Sequence, residues 1–273
     1  FFTSKHISKP LIEMNQISRD FAKGNFEKRV EINTKDEIGQ LAINFNAMAD
    51  SLENIENMRR SFVTNVSHEL RSPLTSIRGY IQGVLDRTIP PDKSDKYLSI
   101  ALDETKRLNK LINELLDLSQ IESGQFPLNI ITFDINELIR RVLISQEERI
   151  TAKSIDVIVD FQEQYYYVEG DRDRIQQVLY NLIDNAIKFN PEKGTLMIKT
   201  WNYEDRIFIK VEDSGPGIPK EEIVHIWERF YQVDKSRPPK SGGTGLGLSI
   251  VKKILEEHDQ DIWINSKEGE GTA

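Results

Sequence analysis

Asn65-Val66-Ser67-His68-Glu69-Leu70-Arg71-Ser72-Pro73-Leu74 lies inside a long apolar periodicity, and how it is read decides the architecture on both sides. Met58, Phe62, Val66, Leu70, Leu74, Ile77, Ile81 and Leu85 recur at helical spacing. That pattern predicts a helix over residues 58–89, which Pro90-Pro91 forces into a turn. At about 100° per residue, His68 points about 160° away from Val66 and Leu70 and about 180° from Ile77. It therefore stands exposed, opposite the apolar stripe. An exposed helical histidine is ordinarily just solvated. Here Glu69 follows directly, a carboxylate able to accept or orient the imidazole proton, and Ser72 lies one turn further along the same face. A neutral imidazole is a good nucleophile near physiological pH. Pro73 removes the backbone donor that would bond to Glu69 and loosens the helix beside the histidine.

Outward from this segment, a second long helix is expected over about residues 95–122, with Leu108, Leu111, Leu115 and Leu118 on one face. Two antiparallel helices with one apolar stripe each cannot bury those stripes alone, so dimerisation into a four-helix bundle is the natural solution. Upstream, Ile7, Leu11, Met14, Ile17 and Phe21 predict a helix with one buried stripe, ended by Gly24. A connector, Asn25 to Asp36, carries the apolar residues Phe26, Val30 and Ile32. Ile38, Leu41, Phe45, Met48, Leu52 and Ile55 then form a heptad seam, which implies a parallel dimer. Between Ile55 and Phe62 the phase slips, a break that locally alters a supercoil.

After Gly124 the character changes. Strand-like runs at Asp156–Phe161, Thr195–Trp201, Ile207–Glu212 and Asp261–Asn265 alternate with helical stretches at Ile135–Thr151, Asp171–Phe189, Lys220–Arg229 and Gly247–Glu257. That order predicts an α/β layer domain, one sheet covered by helices. Composition narrows the chemistry further. The chain lacks cysteine and has four well-separated histidines, which argues against disulfides, thiolate sites and a multi-histidine metal centre. Its net charge of −8, with no basic cluster, argues against a general nucleic-acid binder. No run approaches the roughly 18 to 20 apolar residues of a membrane-spanning helix.

Three motifs in the α/β part could carry chemistry. In the helix Asp171–Phe189, Ile175, Val178, Leu179, Leu182, Ile183, Ala186 and Ile187 make one face, with Asn181, Asn185 and Lys188 clustered at its border. Asparagine is a mediocre helix former, so two at i and i+4 need a reason: bonding to a neighbouring loop, or amide oxygens and an ammonium meeting a magnesium triphosphate. Asp213-Ser214-Gly215-Pro216-Gly217-Ile218 follows a strand, where the glycines allow a tight turn and the carboxylate can accept from an exocyclic amine. Gly242-Gly243-Thr244-Gly245-Leu246-Gly247-Leu248-Ser249 opens a helix, and such an N-terminus offers unpaired donors and a positive dipole end to phosphate. It is not a Walker loop, because the Gly-Lys-Ser/Thr ending is missing. The segment Tyr231 to Ser241, with two prolines and no apolar periodicity, reads as a lid over a nucleotide.

The decapeptide around His68 resembles the phospho-acceptor segment of bacterial sensor histidine kinases, and the three later motifs occur in that family in the same order. The resemblance implies a multidomain fold. Residues 1–57 resemble a HAMP signal-relay module, an all-α coiled coil that includes Pro10 and Asp36-Glu37-Ile38-Gly39. Residues 58–124 resemble the dimerisation and phosphotransfer bundle of four helices. Residues 125–273 resemble the α/β sandwich ATP-binding domain shared with gyrase and the heat-shock chaperone.

By the same resemblance, ATP is the phosphoryl donor, His68 takes the γ-phosphoryl group, and an aspartate of a response-regulator receiver domain receives it. Glu69 and Ser72 assist, Ser72 standing where a residue is credited with dephosphorylating the regulator. Asn185 coordinates magnesium, with Asn181 and Lys188 beside the phosphates. Asp213 takes the adenine amino group, flanked by Gly215 and Gly217. Gly243, Gly245, Leu246 and Gly247 form the phosphate loop, and Tyr231 belongs to the lid.

The chain departs from the family pattern in three places. Gln232 stands where many relatives have a phosphate-contacting arginine, so Lys235 or Arg237 is expected to supply that charge. Ser72 replaces a threonine or asparagine. His258-Asp259-Gln260-Asp261 replaces a His-Gly-Gly turn, with the sequence stopping at Ala273 before the usual final strand. Truncation at both ends is expected, with Phe1-Phe2 as the stub of a membrane helix. This would make the fragment the cytoplasmic side of a homodimeric receptor in the cell membrane. Two rivals remain open on sequence: a gyrase-like or chaperone-like ATP hydrolase without a phospho-enzyme, and a nucleotide-binding protein that relays conformation or sequesters a regulator without kinase activity.

Overall fold

The computed structural model describes residues 2–31, 35–122, 127–233 and 243–273. They belong to two compact units, residues 1–69 and 70–273. In the first, helix α1 (Phe2–Phe21) leads into a connector described as far as Glu31; helix α2 (Glu37–Leu85) begins in this unit and continues past Glu69 into the second. Asp36 caps α2 by accepting hydrogen bonds from the backbone of Ile38 and Gly39, both at 3.2 Å. The Asn46 carboxamide brackets the connector, accepting from Val30 N at 2.8 Å and donating to Val30 O at 2.9 Å. This places Val30 in a small core with Met14, Ile17, Phe21, Ala42 and Ala49, and with Phe26 and Phe45 beside it. Ile32 lies outside the described residues.

The stripes divide differently from the expectation. Ala42 and Ala49 are the residues that α2 buries in this core, while Leu41, Met48 and Ile55 of the heptad seam are exposed, as are Ile7 and Leu11 of α1. Small side chains let α1 and the connector approach α2 closely; of the seam residues, Phe45 and Leu52 pack against this core, and Leu41, Met48 and Ile55 lie on the open face. Helix α2 runs without a break through the phase slip near Met58 and through Pro73. It ends at Leu85, four residues before the expected limit, because Arg87 takes a left-handed conformation (φ 61°) and Ile89 N returns to Gly83 O at 2.8 Å.

In the second unit, a single 3-10 turn (Pro91–Lys93) leads to helix α3 (Ser94–Glu122), with Leu111 and Leu118 buried as the periodicity predicts. The α/β region follows. Strand β1 (Ile130–Asp134) pairs antiparallel with β3 (Tyr167–Asp171) in a two-stranded sheet. The main sheet contains β2 (Asp156–Phe161), β4 (Thr195–Tyr203), β5 (Arg206–Asp213), β6 (Ser266–Lys267) and β7 (Gly271–Thr272) in the order β2-β4-β5-β7-β6. Among the described residues of this sheet, only the β2–β4 pair is parallel. Helices α4 (Ile135–Ser145) and α6 (Arg172–Phe189) share a core with this sheet through Leu138, Ile139, Ile183, Ile187, Leu196 and Ile198, and the short α5 (Glu147–Ala152) lies between them in the chain. Helix α7 (Gly247–Glu257) packs beside α6. Asp134 and Asp171 cap α4 and α6 by accepting from the first-turn backbone.

Four expectations need correction. Strands β1 and β3 fall where no strand is expected, because each is short and pairs with a partner about 40 residues away. The helix expected over 135–151 is divided into α4 and α5 at Gln146, whose backbone leaves the helical region (φ −106°, ψ 5°). Residues 220–229 form successive turns rather than a helix, with Glu222 N on Pro219 O, His225 N on Glu222 O and Glu228 N on His225 O. β-Branched Ile223, Val224 and Ile226 weaken helix propensity there. Finally, Asp261–Asn265 is not a strand: the ladder with β7 ends where Asn265 pairs with Ala273, and among the described residues the alternating positions before it join no strand ladder. Among the described residues, no helix is long and apolar enough to cross a membrane.

Candidate active site

Helix α6 carries Asn181, Asn185 and Lys188 on one edge because they stand at i, i+4 and i+7. Its opposite face, with Leu179, Ile183 and Ile187, is fixed in the core. Asn181 is itself buried, and its Oδ1 lies 3.6 Å from where a Cβ on Gly247 would project. A Cβ on Gly243 would collide with the Lys188 ammonium. Burial pushes the Lys188 pKa down, with Asp184 working the other way. The α6 edge and the loop 243–247 thus form two facing walls, with Lys188 against Gly243 and Asn181 against Gly247. Helix α7 starts directly after the loop with no side chain capping its N-terminus, so its first-turn donors are left for water or a ligand. Gly245 (φ 72°) turns the loop against the backbone of Phe230, whose N–H donates to Gly245 O at 2.8 Å.

The second motif sits at the other end of the edge. Asp213 ends β5, half-buried, and its Oδ1 accepts from Gly215 N at 2.8 Å. Burial raises the Asp213 pKa, and the N–H groups of Gly215 and Thr272 act against it. Gly215 packs on the carbonyl of Phe189, the residue after Lys188, and Gly217 (φ 70°) passes so close to Lys267 O that no side chain fits. The structure therefore brings Asn181, Lys188, Gly243, Gly245, Leu246 and Gly247 together, and sets Asp213, Gly215 and Gly217 beside the C-terminal turn of α6.

Tyr231 is half-buried, with its ring 5.6 Å from that of His225. Gln232, in place of the arginine, donates from Nε2 to Gly243 O at 2.8 Å and so holds the lid's first residues on the glycine loop. Lys235 and Arg237 lie outside the described residues. His68 and Glu69 belong to the first unit and Ser72 to the second, all three on α2. His68 and Ser72 are exposed, as the angular argument requires.

Sequence reasoning misses the way α3 meets this site. Glu114 is buried, and its Oε2 accepts from Thr244 Oγ1 at 2.5 Å, inside the glycine loop. Burial holds the Glu114 carboxyl above the usual carboxylate range, opposed by the Thr244 hydrogen bond. One turn on, Asp117 accepts from Arg174 at 3.0 Å and from Gln177 at 2.7 Å, both on α6. A signal for Glu114 exists in the sequence: it stands three residues after Leu111 and four before Leu118, an acidic residue within a buried stripe.

Comparison with known proteins gives three family matches along the chain. Residues 170–273 match the model for histidine kinase-, DNA gyrase B- and HSP90-like ATPases. Residues 58–124 match the His Kinase A (phospho-acceptor) domain, and residues 2–54 the HAMP domain. Sensor histidine kinase YclK of Bacillus subtilis is 38% identical over 98% of this chain. WalK of the same organism is 35% identical over 96%. The chain spans 58% and 46% of the lengths of these two relatives. Among solved structures, histidine kinase ThkA in complex with the response regulator TrrA superposes with a TM-score of 0.64 at 32% identity, covering 78% of this chain and 59% of that one. Histidine kinase AdeS of Acinetobacter baumannii gives 0.62 at 31% identity, covering 75% of this chain and 94% of that one. With a kinase matched over nearly its whole length, and three domain types in the order the motifs implied, the chain belongs to the sensor histidine kinases.

Proposed function

We propose that this chain is the kinase portion of a two-component receptor: it binds ATP along the α6 edge and transfers the γ-phosphoryl group to His68. The observation that carries this reading is the close approach of Lys188 and Asn181 to Gly243 and Gly247, which leaves a cation and an amide facing backbone donors at the start of α7. Phosphate fits between such walls. The Asp213 carboxylate, at the far end of the same edge, supplies an acceptor for the adenine amino group. Asn185 lies between the two ends and offers a hard amide oxygen of the kind magnesium prefers, so it would hold the ion. Bound there, magnesium would neutralise phosphate charge.

In the transfer step, a ring nitrogen of His68 forms a bond to the γ-phosphorus, the bond from that phosphorus to the bridging oxygen breaks, and ADP leaves. The proton of the other ring nitrogen is released, with Glu69 the adjacent carboxylate to receive it. The phosphoryl group then passes to a receiver-domain aspartate. A relative captured with its response regulator supports that partner class. Ser72 keeps a hydroxyl on the exposed face of α2, suited to positioning water against the phosphorylated regulator.

The working divisions are 1–57 for signal relay, 58–124 for dimerisation and phosphotransfer, and 125–273 for catalysis. The functional form is a homodimer anchored in the cell membrane by a segment outside this sequence. Incubation with γ-labelled ATP and magnesium should give acid-labile label on the parent, none on His68→Gln, and none on Asn185→Ala, which should also lose magnesium-dependent binding in calorimetry. Acid-stable label, or unchanged labelling of Asn185→Ala, would refute the reading.

A further inference from the structure

Lys153, which follows α5, reaches the C-terminal end of α6. Its ammonium donates to the carbonyl oxygens of Ile187 at 2.9 Å, Lys188 at 2.8 Å and Asn190 at 2.9 Å. Three donors meet three acceptors. The last carbonyls of a helix lack intrahelical partners, and a cation there also faces the negative end of the dipole. The backbone joins in, with Lys153 O accepting from Lys193 N at 2.9 Å.

The third carbonyl belongs to Asn190, which is almost completely buried. Its side-chain amide donates to Thr195 O at 2.9 Å, and its Oδ1 accepts from Ser214 Oγ at 2.9 Å. Ser214 Oγ in turn accepts from Thr195 N at 2.8 Å. Ser214 is the neighbour of Asp213. A continuous set of hydrogen bonds therefore starts at the backbone of Lys188, on the phosphate side, and ends one residue from Asp213, on the adenine side. Apolar packing does not replace it at this point, since Phe189, between Lys188 and Asn190, is half exposed.

We propose that Lys153 is a positioning residue of the nucleotide site, fixing the spacing between Lys188 and Asp213 without touching the nucleotide. The proposal rests on the nucleotide reading given above. It implies a specific selectivity: a ligand that reaches both ends, such as an adenosine triphosphate, depends on the brace, and a ligand that reaches only Asp213, such as adenosine, does not.

The test uses the full chain and two probes, a non-hydrolysable ATP analogue and adenosine, with affinities measured by calorimetry and competition. Lys153→Met keeps the aliphatic stem and removes the donors. It should weaken the analogue about tenfold while changing adenosine less than about twofold, and Lys153→Arg should recover part of the loss. Equal weakening of both probes, the outcome of a merely structural role, would overturn the proposal, as would no change in either. If Lys153→Met does not fold, Ser214→Ala severs the far end of the brace and must show the same split in smaller measure. Equal effects in that variant overturn the proposal too. A parent chain that binds neither probe refutes the nucleotide reading itself, and the proposal with it.

Discussion

The α/β region and the N-terminal helices deal with their apolar residues in opposite ways. Within residues 130–273, Ile183, Leu196, Ile198, Ile250 and Ile254 are completely buried by their own chain. Within residues 2–69, the residues that α2 buries in the core are alanines, while Leu41, Met48, Ile55 and Met58 are 45–63% exposed. The first region encloses its own core. The second packs Phe21, Phe26 and Phe45 into a small core but leaves Leu41, Met48 and Ile55 on a face that one copy leaves open, and their heptad spacing suits a second copy of the same helix.

The strongest way to break this comparison is to charge the open face. Leu41→Glu combined with Met48→Glu should weaken the proposed homodimer, at a cost on the order of 5 kcal/mol for the four side chains of a symmetric pair. Sedimentation equilibrium reads that change. The melting of the α/β region should stay where it was. An unaltered monomer–dimer constant would move the dimer surface elsewhere.

A smaller effect is expected inside the self-sufficient region. Asp213→Asn should weaken an ATP analogue by about 1 to 3 kcal/mol, the loss of one charge-assisted hydrogen bond, and leave dimerisation untouched. Calorimetry beside sedimentation separates the two quantities. If the dimer weakened and the nucleotide did not, the division of labour drawn here would be wrong.

The smallest effect concerns Glu114, where α3 meets the glycine loop. Burial raises its pKa in the folded chain, so its contribution to stability is full below the ordinary glutamate value and is lost as pH rises through the raised one. Glu114→Gln keeps an oxygen to accept from Thr244 and removes the charge. The variant should melt above the parent at pH 8, by about 2 to 4 °C for each kcal/mol, and the gap should close towards pH 4. Parallel melting profiles would mean that the carboxylate is solvated in solution.

These residues also mark how far the sequence can be read. The α6 edge, Asp213 and the glycine loop are legible because each is a local pattern, spaced by the helix period or by a turn. The exposed position of His68 follows from angles alone. Contacts such as Glu114 with Thr244, 130 residues apart, and Lys153 with the end of α6 are set by tertiary packing: spacing marks Glu114 as an acidic residue in a buried stripe, but no spacing names either partner. The turns over 220–229 and the unpaired Asp261–Asn265 show the converse: apolar periodicity is present there, but hydrogen-bond partners decide the outcome.

The central claim, that nucleotide bound on the α6 edge phosphorylates the exposed histidine of α2, is tested most directly by locating the phosphoryl group. The chain would be incubated with ATP and magnesium, digested with trypsin at alkaline pH and examined by mass spectrometry. The account predicts phosphate on the peptide Ser61–Arg71, at His68. Phosphate on His225, His258 or a serine instead, or an unmodified peptide under conditions where ATP is bound, would contradict it.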